Sequence, residues 1–124
     1  MKKHIFALAL LAGCQTAPQT AAIEPGAAYT LSESEQAAVK RGVIAMLKDP
    51  ESARFEGLRA SKDSEGVVMV CGYVNARNSF GGYAGNQAFT GVLYNGQFGV
   101  GGLANDSAVT NVIRQKCAEG GIVI

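Results

Sequence analysis

Reactive side chains are scarce in this chain: three cysteines, Cys14, Cys71 and Cys117, and a single histidine, His4. His4 lies in an apolar leader, so loss of that leader removes the base that Ser-His and Cys-His nucleophile pairs need. It also leaves a two-cysteine metal site without imidazole ligands. The catalytic routes that remain are a Ser-Lys pair or two carboxylates. No Ser-x-x-Lys spacing occurs, and Asp49, Glu51, Asp63, Glu65, Asp106 and Glu119 fall on expected turns and helix ends, where solvation and capping account for them. The expectation is a protein that is not an enzyme, with no catalytic residue, no metal and no cofactor.

Cys14 has a different chemistry. Lys2 and Lys3 precede an apolar run, residues 5–11, too short to span a bilayer, and Leu11-Ala12-Gly13-Cys14 closes it. That tetrapeptide matches the bacterial lipobox, which implies a diacylglycerol on the Cys14 thiol, cleavage before it and acylation of the new amine. The alternative is an ordinary secretory signal with Cys14 a spare thiol. Gln15 stands where an aspartate would resemble an inner-membrane retention signal, which favours the outer membrane, facing the periplasm, if there are two membranes. Acyl chains contribute roughly 0.8 kcal/mol per buried methylene, so lipid alone would hold the chain on a membrane. Export would also place Cys71 and Cys117 in an oxidising compartment, where a disulfide is the default. A metal site and a catalytic thiol are the rival readings.

The densest group of recognition-type side chains is the loop after Cys71: Asn75, Arg77, Asn78, Ser79, Phe80 and Tyr83, flanked by glycines. Arg and Tyr are frequent interface anchors, and Asn offers paired donors and acceptors. Asn and Gly are also what any loop with unusual dihedrals uses, so scaffold and contact surface both fit. On the recognition reading Arg77 and Tyr83 make the contacts and Phe80 caps the core. Gly81-Gly82-Tyr83-Ala84-Gly85 lacks the Gly-Lys-Ser/Thr ending of a phosphate-binding loop.

Composition sets the frame for these groups. The chain has 124 residues, a formal charge of +1 and sixteen glycines. Without the leader it keeps nine basic residues against ten acidic ones, alternating in sign (Lys40, Arg41, Lys48, Asp49, Glu51, Arg54, Glu56), so no basic footprint for nucleic acid exists. Residues 1–13 read as signal peptide, 14–28 as lipidated cysteine and flexible Ala/Thr/Gln/Pro tether, and 29–124 as a single domain.

Within that domain, Ser32-x-x-Glu35 is a capping box that starts a helix, with Val39, Val43, Met46 and Leu47 inward and Asp49-Pro50 ending it. Gly42 inside it suggests close packing on a sheet. Residues 52–61 alternate, then shift phase near Gly57, the pattern of a bulged strand. Residues 67–76 are apolar on both faces, as in a central strand. Residues 87–94 and 97–100 flank Asn95-Gly96, a hairpin turn. A second helix follows Asn105 or Asp106, with Val109, Val112, Ile113 and Cys117 inward, and residues 122–124 are available as an edge strand. The expected fold is α+β: a mainly antiparallel sheet of about four strands packed with two helices, with one disulfide.

The patterns Asp49-Pro50-x-Ser52-Ala53-x-Phe55 and Val70-Cys71-Gly72-x-Val74-Asn75-Ala76-Arg77-Asn78-Ser79-Phe80-Gly81-Gly82-Tyr83-x-Gly85 resemble a family of small exported bacterial proteins to which no activity is attached. Arg77 stands where that pattern takes Lys or Arg. The resemblance implies a shared fold and transfers no catalytic residue or ligand. The functional expectation is a non-enzymatic envelope lipoprotein, held to the membrane through Cys14, that binds an envelope protein or glycan and no nucleic acid. An inhibitor of a cell-wall hydrolase such as lysozyme is the second reading, and an envelope hydrolase the third.

Overall fold

The computed structural model describes Gly13 and residues 25–124; the leader through residue 12, Cys14 and the tether through residue 24 lie outside the described residues. The elements run β1 (Ala27–Tyr29), α1 (Glu33–Ile44), a 3-10 turn (Pro50–Ser52), β2 (Arg54–Lys62), β3 (Val68–Asn75), β4 (Gln87–Tyr94), β5 (Gln97–Leu103) and α2 (Ser107–Glu119). The five strands make one antiparallel sheet in sequence order, with β3 in the middle.

Because successive strand residues point to opposite faces, the doubly apolar β3 supplies two cores. Val68, Val70 and Val74, with Phe89 and Leu93 of β4, pack on Val39 and Val43 of α1. Cys71, with Ala88 of β4, packs on Ile113 and Cys117 of α2 and on Ile122. One helix therefore covers each face. The rings of Phe55 and Phe98 meet that of Phe89 edge-on, at 6.1 and 6.4 Å between centroids, and fill the α1 side.

Local chemistry explains the joints. The backbone register slips between Glu56 and Arg59, where Gly57 takes φ +61°, and this bulge passes the inward role from Phe55 to Leu58 and Ala60. Asn95 and Gly96, with φ of 49° and 74°, make the two-residue hairpin between β4 and β5. Ser32 Oγ accepts from the Glu35 amide at 3.2 Å. The Glu35 carboxylate does not complete the expected capping box; it accepts from the Tyr29 hydroxyl at 3.0 Å. That hydrogen bond, then desolvation and the carboxylate charge, raise the Tyr29 phenol above its ordinary value.

Four expectations are corrected. The sheet has five strands rather than four, because Ala27-Ala28-Tyr29, whose first two residues read as tether, pair with Lys62, Ser61 and Ala60. Nothing local marks so short a strand; β2 recruits it, and Gly26 N donates to Gly120 O at 3.0 Å beside it. Residues 122–124 form no strand: Ile122 is buried and its amide caps α2 through Cys117 O at 2.8 Å. α1 ends at Ile44, and Met46, beyond it, is 56% exposed instead of inward. Val112 is 53% exposed, because Val109, Ile113 and Cys117 at four-residue spacing already fill the inward stripe.

The expected bridge is present. Cys71 and Cys117 are bonded, with Cα atoms 6.3 Å apart and both residues fully buried. The Thr90 hydroxyl lies 3.4 Å from Cys71 Sγ and, the sulfur being bridged, is the donor. Closing a loop across a separation of 46 residues contributes roughly 4 kcal/mol in the chain-entropy model.

Two substitutions test this frame. Cys71→Ala should cost about 2 to 5 kcal/mol in denaturant unfolding, and thiol labelling of denatured, unreduced protein should find neither Cys71 nor Cys117 free. Gly42→Ala should also destabilise, although Ala favours helix by about 1 kcal/mol. A Cβ there meets Phe98 Cδ1 at 2.9 Å and the Phe98 carbonyl at 3.0 Å, and such overpacking costs typically about 1 to 3 kcal/mol. A rise in melting temperature would show that α1 can retreat from β5.

Candidate functional site

Ser52 organises the region around the candidate loop. It ends the turn begun at Pro50 and is only 4% exposed. Its hydroxyl donates to Asp49 O at 2.8 Å and accepts from the Arg77 amide at 2.8 Å. Its carbonyl accepts from the Tyr83 hydroxyl at 3.2 Å. One buried serine thus joins the start of β2 to both ends of the loop.

The loop's own polar side chains complete the frame. Asn75 Oδ1 accepts from the Gly85 amide at 3.1 Å, and Asn78 Oδ1 from the amides of Phe80 and Gly82 at 3.0 and 3.3 Å. Main-chain bonds run from Asn78 N to Gly82 O at 2.8 Å and from Ala84 N to Ala76 O at 3.2 Å. Arg77 and Tyr83 face each other in an isolated antiparallel bridge. Arg77 Nε lies 3.3 Å from Asp49 Oδ2, and the Arg54 guanidinium sits 4.3 Å above the Tyr83 ring. Ser79 Oγ accepts from Lys48 Nζ at 3.2 Å.

These contacts redistribute the roles expected from sequence. Asn75, Arg77, Asn78 and Tyr83 are brought together as sequence suggested, but their hydrogen-bonding atoms hold the loop. Tyr83, expected as a free contact face, is 40% exposed and works as a strut between Ser52 and Arg54. Phe80, expected to cap the core, is 98% exposed. The physical reason is the pair of amide bonds to Asn78 Oδ1, which close a tight turn across 78–82 and carry residue 80 to its outer side. The loop therefore presents one large apolar side chain to solvent from a hydrogen-bonded base.

A groove of about 260 Å³ lies beside the loop, between the end of α1 and the ends of β3 and β5. Met46, Leu47, Ala76, Ala84 and Leu103 are its apolar lining and Lys48 and Arg77 its charges. A larger hollow, about 420 Å³, opens between β1, β2 and the C-terminal residues, with Arg59 the charged residue in its lining. Among the described residues, no group of three or more His, Cys, Asp or Glu is placed to hold a metal ion, and no helix is long and apolar enough to cross a membrane.

Sequence reasoning named Ser52, Asp49 and Lys48 but gave them no place at the loop. The signal for the first two was present in Asp49-Pro50-x-Ser52, where Pro starts a turn and the following Ser is positioned to bond back to the Asp carbonyl. Lys48 carried no such signal, since its place at the loop depends on where α1 stops.

Ser52→Ala should cost about 1 to 3 kcal/mol, because it strips a buried hydrogen-bonding group from two partners. Tyr83→Ala should destabilise as well. Both are read by thermal denaturation, and wild-type melting for both would show that the loop stands without this frame.

Compared with known proteins, the chain matches no family model, no curated protein and no solved structure.

Proposed function

We propose that this chain is an exported, lipid-anchored envelope protein that works by binding a partner protein, without catalysis, through the loop at residues 78–85. One observation carries the reading: Phe80 is almost wholly exposed on a loop whose backbone is fixed by Asn75, Asn78 and Ser52. Exposing a phenylalanine gains nothing for folding, whereas a buried aromatic anchor is a common source of interface energy. Fixing the loop in the folded chain lowers the ordering cost of association. The lipobox at Cys14 and the resemblance to small exported bacterial proteins support the location.

A protruding, pre-ordered loop with an aromatic tip also suits an inhibitor that plugs a hydrolase cleft, and this is the second reading. The two separate in one assay, since an inhibitor lowers lysozyme-type activity at stoichiometric amounts and an envelope binder does not.

Phe80→Ala should leave unfolding within about 0.5 kcal/mol of wild type, as for other surface substitutions, while removing crosslinks formed in the intact envelope by a photoreactive residue at position 79. Crosslinks that persist in Phe80→Ala would place the contact surface elsewhere. Cys14→Ala should move the protein from the membrane fraction to the soluble one or leave the leader uncleaved; membrane retention of a processed Cys14→Ala chain would refute the anchor.

A further inference from the structure

We infer that the groove beside the Phe80 loop docks an acidic segment of a partner protein, with an apolar side chain of that segment between Leu47 and Leu103 and a carboxylate on Lys48. This deepens the proposed function and rests on the loop being a recognition surface. The groove is lined by two charged residues, Lys48 and Arg77, both cationic, and by no acidic one. Arg77 is already engaged by Asp49 at 3.3 Å. Lys48 is held instead by the neutral Ser79 hydroxyl, and among the described residues no carboxylate lies within ion-pair distance of it. Its charge therefore lines the groove without a carboxylate partner among the described residues. Charge complementarity then selects an anion, and the apolar lining, which includes the exposed Met46, selects one attached to an apolar side chain.

The topology sets the groove far from the point where the tether meets the sheet. The tether enters the domain at Pro25 and leads into β1, where Ala27 pairs with Lys62. The loop and groove lie at the other end of the sheet, where Arg54 pairs with Asn75 and Val74 with Gln87. The eight residues of β3 separate these ends by roughly 25 Å at strand rise. The groove therefore lies at the end of the sheet opposite Pro25.

The test uses the full chain, purified in detergent, and a phage-displayed library of random dodecapeptides. Enriched peptides should carry Asp or Glu next to a Leu, Ile, Phe or Met. Synthetic copies should bind Lys48→Glu at least about tenfold more weakly than wild type, with melting unchanged, and should weaken as NaCl rises. Enrichment of peptides lacking acidic residues, absence of enrichment, or equal affinity for Lys48→Glu would each overturn the assignment, as would competition by anionic phospholipid vesicles but not by acidic peptides. If the groove fails while a photoreactive residue at position 79 still gives Phe80-dependent crosslinks, the loop reading stands alone; if peptides bind as described without such crosslinks, the groove stands and the loop reading falls.

Discussion

The covalent tie between β3 and α2 carries one whole face of this molecule. α2 presents only Ile113 and Cys117 as buried residues, and the core beneath it is small, with Ala88, Ala104 and Ile122 among its members. Burying a large aliphatic side chain contributes about 1.5 to 3 kcal/mol. A cross-link contributing roughly 4 kcal/mol therefore matches the yield of about two such side chains, on a face that has few to offer. The α1 face needs no covalent tie, because three phenylalanine rings and a row of valines fill it. The asymmetry is visible within β3 itself, where Val68, Val70 and Val74 share one face and Met69, Cys71 and Tyr73 the other.

With both faces occupied, the ends of the sheet are left for other work, and the bridge bears on one of them. Cys71 lies two pleat repeats before Asn75, the residue that closes the base of the loop on Gly85. On the neighbouring strand, Phe55 is seated against Phe89 just after Ser52, which holds the Arg77 amide and the Tyr83 hydroxyl. The base of the loop thus stands on two strands, each fixed in a different core. Rigid support of this kind is what a contact surface requires if it is to act at a defined geometry.

Most of the fold was legible because its signals are local. Ser32 as helix cap, Gly57 as bulge, Asn95-Gly96 as hairpin and β3 as the doubly covered strand each follow from a few adjacent residues and their dihedral preferences. What was not legible depends on distant partners. β1 is a strand only because β2 has an open edge there, and Ile122 caps a helix where its neighbours suggested a strand. In the loop the residue types identified a cluster, but periodicity is silent outside regular elements, so it gave no basis for deciding that Tyr83 turns inward and Phe80 outward. That choice is made by two hydrogen bonds to Asn78 and one to Ser52.

The length of the loop is itself informative. β3 and β4 are antiparallel neighbours, and such neighbours can be joined by a two-residue turn, as β4 and β5 are at Asn95-Gly96. The chain instead spends residues 76–86 on the β3–β4 connection, with two asparagine side chains and a buried serine employed to satisfy backbone groups that a tight hairpin would never expose. Loop closure makes extra length inexpensive, at about 0.6 kcal/mol per doubling, so stability does not forbid the excursion. Neither does stability call for it, since the side chain carried farthest out, Phe80, is one the fold gains nothing by exposing. A connection longer than topology requires, hydrogen-bonded at its base and apolar at its tip, is the feature on which the proposed binding role rests.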